Sequence, residues 1–247
     1  MNISGNTIFI PGATSGLGLG LAQRFLAAGN TVVVGGRRTK LLDSIVAENP
    51  GMEAVRIDTD DPASIRAAFQ DVTDAHPDLD TVVLMAGIML PEDLHTADFL
   101  ATSESIVTTN LLGPIRLVAQ FVPFLQTRPS ATIMTVSSGL AFVPLPFTPT
   151  YNATKAAIHS FTDSMRVQLA DTSVQVLELV PPAVATTLLG QQDDARAMPV
   201  DEFLDETMAL LESQPDAREI LVERVKFLRY AEAEGRYDQV MGLLGSH

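Results

Sequence analysis

The chain contains no cysteine, which excludes disulfides, thiolate metal sites and cysteine nucleophiles together. Lysine and tyrosine are almost as scarce, with three of each in 247 residues: Lys40, Lys155 and Lys226, and Tyr151, Tyr230 and Tyr237. Of the four histidines, His76, His95 and His247 are scattered and form no metal set. Positive charge is short as well, because 16 Lys and Arg face 30 Asp and Glu for a net charge of −14. That balance works against a phosphate backbone or an anionic membrane as partner. The acids are dispersed, as at Asp193-Asp194 and Asp201-Glu202, which suits a solvated surface. No apolar run approaches the roughly 20 residues that span a bilayer. The N-terminus opens on a strand pattern, without a basic patch and an apolar signal core. A soluble cytoplasmic protein of one domain is expected, since this length is one domain's worth for an α/β chain.

Strand-like and helix-like stretches alternate along the whole sequence. Candidate strands lie at 7–11, 31–35, 53–57, 80–85, 131–137, 174–180 and 219–223. Candidate helices lie at 17–28, 39–48, 62–75, 98–127, 151–170 and 200–213, with a further helix beginning near Lys226. Such alternation predicts an α/β fold, a doubly wound parallel sheet of about seven strands with helices on both faces. Gly113-Pro114 is expected to kink the long helix. Glu178 is awkward inside an otherwise apolar strand, and is expected to face an edge. No repeat or low-complexity linker divides the chain.

Three clusters carry chemistry. Tyr151 and Lys155 are four residues apart on a predicted helix, so a phenol and an ammonium share one face. In so poor a composition that pair would arise by chance roughly 0.04 times. Near the N-terminus, the strand Thr7–Pro11 runs into Gly12-Ala13-Thr14-Ser15-Gly16-Leu17-Gly18 and then a helix. Glycines there let backbone approach a pyrophosphate, and the N–H groups of the helix start favour its negative charge. The next strand ends in Arg37-Arg38, where an acid would bind a ribose 2′-hydroxyl and arginine accommodates a 2′-phosphate. NADP(H) is therefore favoured over NAD(H). Asp58, closing the third strand, is expected near the adenine ring. Strand ends bring all these residues to one rim of the sheet, where such folds bind ligands.

Together the motifs resemble the short-chain dehydrogenase/reductase family in its single-domain form, over roughly residues 5–190. The resemblance implies a Rossmann-like fold and a Ser–Tyr–Lys set with a helper Asn, here Ser138, Tyr151, Lys155 and Asn110. Spacing to Tyr151 selects Ser138 over its neighbour Ser137. It also implies that Ala86, Gly87, Pro181, Val184 and Thr186 border the cofactor, beside Gly12, Thr14, Ser15, Gly16, Leu17 and Gly18. Three positions depart from the family: Pro11 replaces a Thr, Met85 an Asn, and Pro182 a Gly. In the implied chemistry Tyr151 gives or takes a proton while Lys155 lowers its pKa and holds the nicotinamide ribose. Ser138 orients the substrate oxygen, and Asn110 positions a water linked to Lys155.

Apolar loops at Ile88, Met89 and Leu90, at Leu140, Phe142, Val143 and Phe147, and at Leu188 and Leu189 suggest a pocket for an apolar or aromatic ketone. Residues 187–199 read as a mobile lid. His159, two turns beyond Tyr151, reads as a packed or surface histidine. The leading expectation is an NADP(H)-dependent carbonyl reductase or alcohol dehydrogenase, assembled as a homodimer or homotetramer. An NAD-linked alcohol dehydrogenase and a dinucleotide-binding redox sensor without turnover remain as alternatives.

Overall fold

The structure is a computed structural model that describes residues 1–245; His247 lies outside the described residues. Seven parallel strands form one sheet in the order β3-β2-β1-β4-β5-β6-β7. They are β1 (Thr7–Pro11), β2 (Thr31–Gly36), β3 (Met52–Arg56), β4 (Thr81–Leu84), β5 (Ala131–Val136), β6 (Val174–Leu179) and β7 (Glu219–Ile220). The chain winds outward from β1 to β3, then returns and winds the other way from β4, so β1 and β4 are neighbours across the reversal point. Ligands bind at that crevice in open parallel sheets.

Successive strand residues point to opposite faces, and the two cores sort accordingly. Ile8, Ile10, Val32, Val34 and Met134 face a core completed by Leu21, Phe25, Phe203 and Leu204, from α1 (Gly16–Ala27) and α7 (Val200–Ser213). Phe9, Val33, Val82 and Ile133 face the other, completed by Ile65, Leu117, Phe121 and Met165. Those come from α3 (Pro62–Ala75), α5 (Gly113–Leu125) and α6 (Pro149–Gln168). The remaining helices are α2 (Thr39–Glu48), α4 (Leu100–Val107), α8 (Lys226–Arg229) and α9 (Tyr237–Gly245).

Three expectations need correction. The run from α4 through α5 is broken at a π turn, Thr108–Leu112, ahead of the expected kink at Gly113-Pro114. Pro114 sits in the first turn of α5, where its missing N–H costs no helical bond. The whole run Leu100–Leu125 is also long and apolar enough to cross a bilayer by length and composition. Its Leu117, Phe121 and Leu125 are nonetheless buried against the sheet. The helix expected from Lys226 lasts one turn as α8; a run of turns follows, and Gly235 takes a left-handed φ of 68° before α9 begins. Val240 of α9 and Ala231 then bury Val143.

Phe121 is fully buried, with ring centroids 5.5 Å from Phe9 and 5.1 Å, edge-on, from Phe69. Phe121→Ala should lower the unfolding free energy by about 3–5 kcal/mol. Urea denaturation followed by circular dichroism checks this, and a loss below about 1 kcal/mol would mean that the layer between α3 and α5 collapses into the gap.

Candidate active site

Tyr151 lies in the first turn of α6, whose start is fixed by Glu92. That carboxylate accepts from the Thr150 backbone N–H at 2.8 Å and from the Thr150 hydroxyl at 2.7 Å. Ser103 of α4 also donates to Glu92, and the Glu92 N–H donates to Phe147 O at 2.9 Å. An acid at a helix N-terminus satisfies free N–H groups and suits the dipole there. The loop after β4, helix α4 and the entry to α6 are thereby tied together around Tyr151. The sequence offered no signal for Glu92, because its partner is 58 residues away.

Ser138, Tyr151 and Lys155 are all buried. Ser138 follows β5; its hydroxyl accepts from Leu140 N at 3.1 Å and acts on the Tyr151 phenol, lowering its pKa. The neighbouring Ser137 hydroxyl is buried without a partner. Lys155 Nζ donates to Val136 O at 2.8 Å and lies 5.6 Å from the Tyr151 ring centroid. Burial pushes the phenol up to about 12, while the Ser138 hydrogen bond pulls the other way. Burial pushes the Lys155 ammonium down to about 8, opposed by the charge of Glu178. Desolvation disfavours the charged form of each group, and at the phenol only Ser138 opposes it.

Asn110, within the π turn, is also buried. Its Oδ1 accepts from Ile88 N at 2.8 Å, and its Nδ2 donates to Ile88 O at 2.8 Å and to Thr154 Oγ1 at 3.4 Å. It clamps the loop after β4 against α6. A Cβ on Gly87 would lie 3.4 Å from Asn110 Oδ1 and 3.7 Å from Lys155 Nζ.

The glycine-rich turn forms the adjoining wall. Gly12 has φ 90°, and a Cβ there would lie 2.5 Å from Ala86 Cα. Two backbone segments, after β1 and after β4, therefore meet with no room for a side chain. Gly16 also has a positive φ, 53°, and a Cβ on it would lie 3.5 Å from the Thr186 methyl. Gly18 packs on Ala13 and the Gly12 carbonyl, which seats α1 close to the sheet beside Leu17. Ser15 precedes α1 in extended conformation and makes no side-chain cap, so the first N–H groups of the helix face the turn uncapped. Arg37 and Arg38 are exposed at the end of β2, and Arg38 Nη2 reaches Thr14 Oγ1 at 3.5 Å. The Asp58 carboxylate accepts from Asp60 N at 3.1 Å. Pro181 O accepts from Gly139 N at 2.9 Å, Val184 pairs with Met198, and Thr186 Oγ1 accepts from Leu188 N at 3.3 Å. A glycine-lined crevice, an uncapped helix start and exposed arginines fit a dinucleotide.

Ile88, Met89, Leu140, Leu188 and Leu189 pack around Tyr151, with Ile106 and Leu145 joining them. Other residues read from sequence as pocket lie elsewhere. Leu90 and Phe147 are exposed, Val143 is buried under α9, and Phe142 packs edge-on against His159. The segment 187–199 read as a lid is anchored at its far end, where Ala185 N–H donates to Met198 O, Met198 N–H donates to Ala183 O, and Met198 is buried.

Residues 6–197 match the short chain dehydrogenase family. The chain is 36% identical to an uncharacterized oxidoreductase, DltE, of Bacillus subtilis, over 97% of this chain and 96% of that one. Among solved structures it is similar to a short chain dehydrogenase of Burkholderia cenocepacia in complex with NADP, with TM-score 0.85, 25% identity and 99% of both chains covered. It is also similar to a 3-ketoacyl-(acyl-carrier-protein) reductase of Brucella melitensis complexed with NADH, with TM-score 0.79, 26% identity, and 87% and 93% covered. The chain belongs to the short-chain dehydrogenase/reductase family. It is an NAD(P)-dependent oxidoreductase of that family.

Gly12→Ala forces a left-handed alanine into the Ala86 backbone. It should weaken NADPH and NADH binding at least about tenfold, a difference of about 1.4 kcal/mol, and lower the melting temperature. Titration calorimetry beside a thermal melt checks both; unchanged affinity would show that the two backbones separate without cost.

Proposed function

We propose that this protein reduces a ketone to a secondary alcohol with NADPH, the substrate being apolar or aromatic. The observation that carries the reading is the buried set Ser138, Tyr151 and Lys155, with Lys155 Nζ 5.6 Å from the tyrosine ring centroid, beside the glycine-lined crevice. Bound NADPH supplies the hydride, the hard part of the chemistry. Gly12, Thr14, Ser15, Gly16, Leu17 and Gly18 would cradle its pyrophosphate, and Arg37 and Arg38 its 2′-phosphate. Asp58 would border the adenine, and Ala86, Gly87, Pro181, Val184 and Thr186 the nicotinamide side.

Tyr151 is the proton donor. A phenol raised to about 12 stays protonated throughout the neutral range, as a donor in the reductive direction must. Ser138 accepts from and donates to oxygen in the same place, so it holds the substrate oxygen within reach of the phenol. Lys155 supplies positive charge beside the oxygen as the proton leaves, which favours the phenolate, and binds the ribose hydroxyls. Asn110 fixes the loop at Ile88 that separates cofactor from substrate. The apolar residues packed around Tyr151 favour a substrate without charge. Exposed Leu100, Leu112 and Val167 on the α4–α5 and α6 side support assembly with further copies of the chain, as a homodimer or homotetramer.

Oxidation of NADPH and NADH should be followed by nicotinamide absorbance over aliphatic, aryl and cyclic ketones. Turnover is expected with NADPH, reduced at least about 100-fold in Tyr151→Phe. Arg38→Asp should shift the preference toward NADH. Tight NADPH binding with no turnover on any carbonyl or alcohol would overturn the reductase reading in favour of a sensor. Faster turnover with NADH would overturn the cofactor assignment.

A further inference from the structure

The family machinery leaves one buried acid unexplained. Glu178 lies in β6 between Leu177 and Leu179 and is completely buried. The expectation that it faces an edge fails, because β7 pairs outside it and α6 covers it. A carboxylate in such a place is costly unless other charges answer it. Two cations do. Tyr151, Lys155 and His159 succeed one another at four-residue intervals, so the three side chains share one face of α6. His159 Nδ1 lies 2.9 and 3.1 Å from the two Glu178 oxygens. Lys155 Nζ is held on Val136 O, one residue beyond Thr135, the β5 residue that is the register partner of Glu178. Glu178 also acts on Lys155 through its charge.

We propose that Glu178 is a positioning residue for Lys155, keeping its ammonium charged beneath the Tyr151 ring, and that His159 sets how much of that carboxylate Lys155 feels. This rests on the reading above that Lys155 works as a cation. Burial drives Lys155 toward its neutral form and Glu178 is the charge that opposes the drive. The same carboxylate raises the His159 pKa, first through its hydrogen bond and against desolvation, with smaller contributions from Asp163 and Glu219. Protonated His159 therefore competes with Lys155 for one negative charge.

The other charged groups around His159 are already engaged. Asp163 lies 3.9 Å from Nε2 and is paired with Arg166, which also donates to Val176 O and Arg218 O. Glu219 lies 3.9 Å from Nδ1 and takes a two-pronged contact from Arg229 of α8. Arg229 in turn stacks over Phe142, whose ring meets the His159 ring at 4.8 Å. His159, Glu178 and Glu219 offer ligand atoms within 4.8 Å of one another, but the Arg229 guanidinium already supplies the cation for Glu219.

The scarcity of lysine makes the test direct. The full-length chain labelled with 13Cε-lysine carries only Lys40, Lys155 and Lys226, and the Lys155 resonance is assigned by its loss in Lys155→Arg. A pH titration in the absence of substrate should place Lys155 well below an ordinary lysine. Glu178→Gln removes the opposing charge and should move the Lys155 titration down by about one pH unit or more. His159→Gln keeps a hydrogen-bond donor to Glu178 and removes the competing cation, so it should move the titration up.

A Lys155 titration unchanged in Glu178→Gln, or moved down in both variants alike, overturns the proposal and marks the pair as packing only. An unchanged titration in His159→Gln alone removes His159 and leaves Glu178. Should Glu178→Gln fail a thermal-melt check of folding, His159→Gln decides by sign: up supports, down overturns. NADPH affinity measured by fluorescence across the same pH range should weaken along each variant's own titration. Absence of carbonyl turnover would sink the reductase reading but would not move any of these Lys155 titrations.

Discussion

Burying an ammonium is the constraint around which this site is organised. Lys155 sits under α6 and on β5, where water cannot answer its charge, so the protein must. It does so with a backbone carbonyl at the end of β5 and a carboxylate on β6. Both become available only when those two strands are in register and α6 lies across them. The Tyr151 phenol, one turn earlier, is placed by the same docking. A slip of one residue between β5 and β6 would turn Glu178 to the opposite face of the sheet, leaving Lys155 without its counter-charge. The placement of Tyr151 and Lys155 and the strand register are therefore one requirement.

A second close approach lies across the reversal point of the sheet. Gly12 and Ala86 lie just beyond β1 and β4, and their backbones touch. Alpha carbons this near leave no side chain to fill the crevice, so a ligand can lie against bare N–H groups. On the far side of the turn, Gly16 faces the Thr186 side chain at ordinary contact distance. The first wall binds by backbone and tolerates few substitutions. The wall around Tyr151 is made of side chains from the loops after β4, β5 and β6, and can vary without disturbing it.

Local chemistry made most of this legible in the sequence. Short apolar runs separated by amphipathic stretches located the strands, because the inner ones are buried on both faces and need no distant partner to be recognised. The glycine spacing marked the crevice for the same reason, since its requirement is steric and local. What escaped is what depends on partners far along the chain. Glu92 looked like any exposed acid until the structure set it on Thr150. Phe142 and Val143 looked like pocket residues until α8 and α9 covered them. The break at Gly235 was hidden because the residues on each side both favour helix. Glu178 was the intermediate case: its oddity was visible, but its explanation lies on α6.

The placement of that acid also separates two roles that a single helix face could have merged. Tyr151 reaches the open crevice, Lys155 lies behind it, and His159 lies behind Lys155 on the side toward α8. Charge alternates with depth along this line, from neutral phenol to ammonium to carboxylate to imidazole and then to the Glu219–Arg229 pair. Beyond the phenol, basic and acidic groups alternate, so the line tolerates burial as a whole although no charged member would alone. The C-terminal segment, which carries Arg229 and lies outside the matched region 6–197, closes the line at its outer end. It is thus electrically part of the site, and it packs on the turn Gly139–Ala141 that follows Ser138.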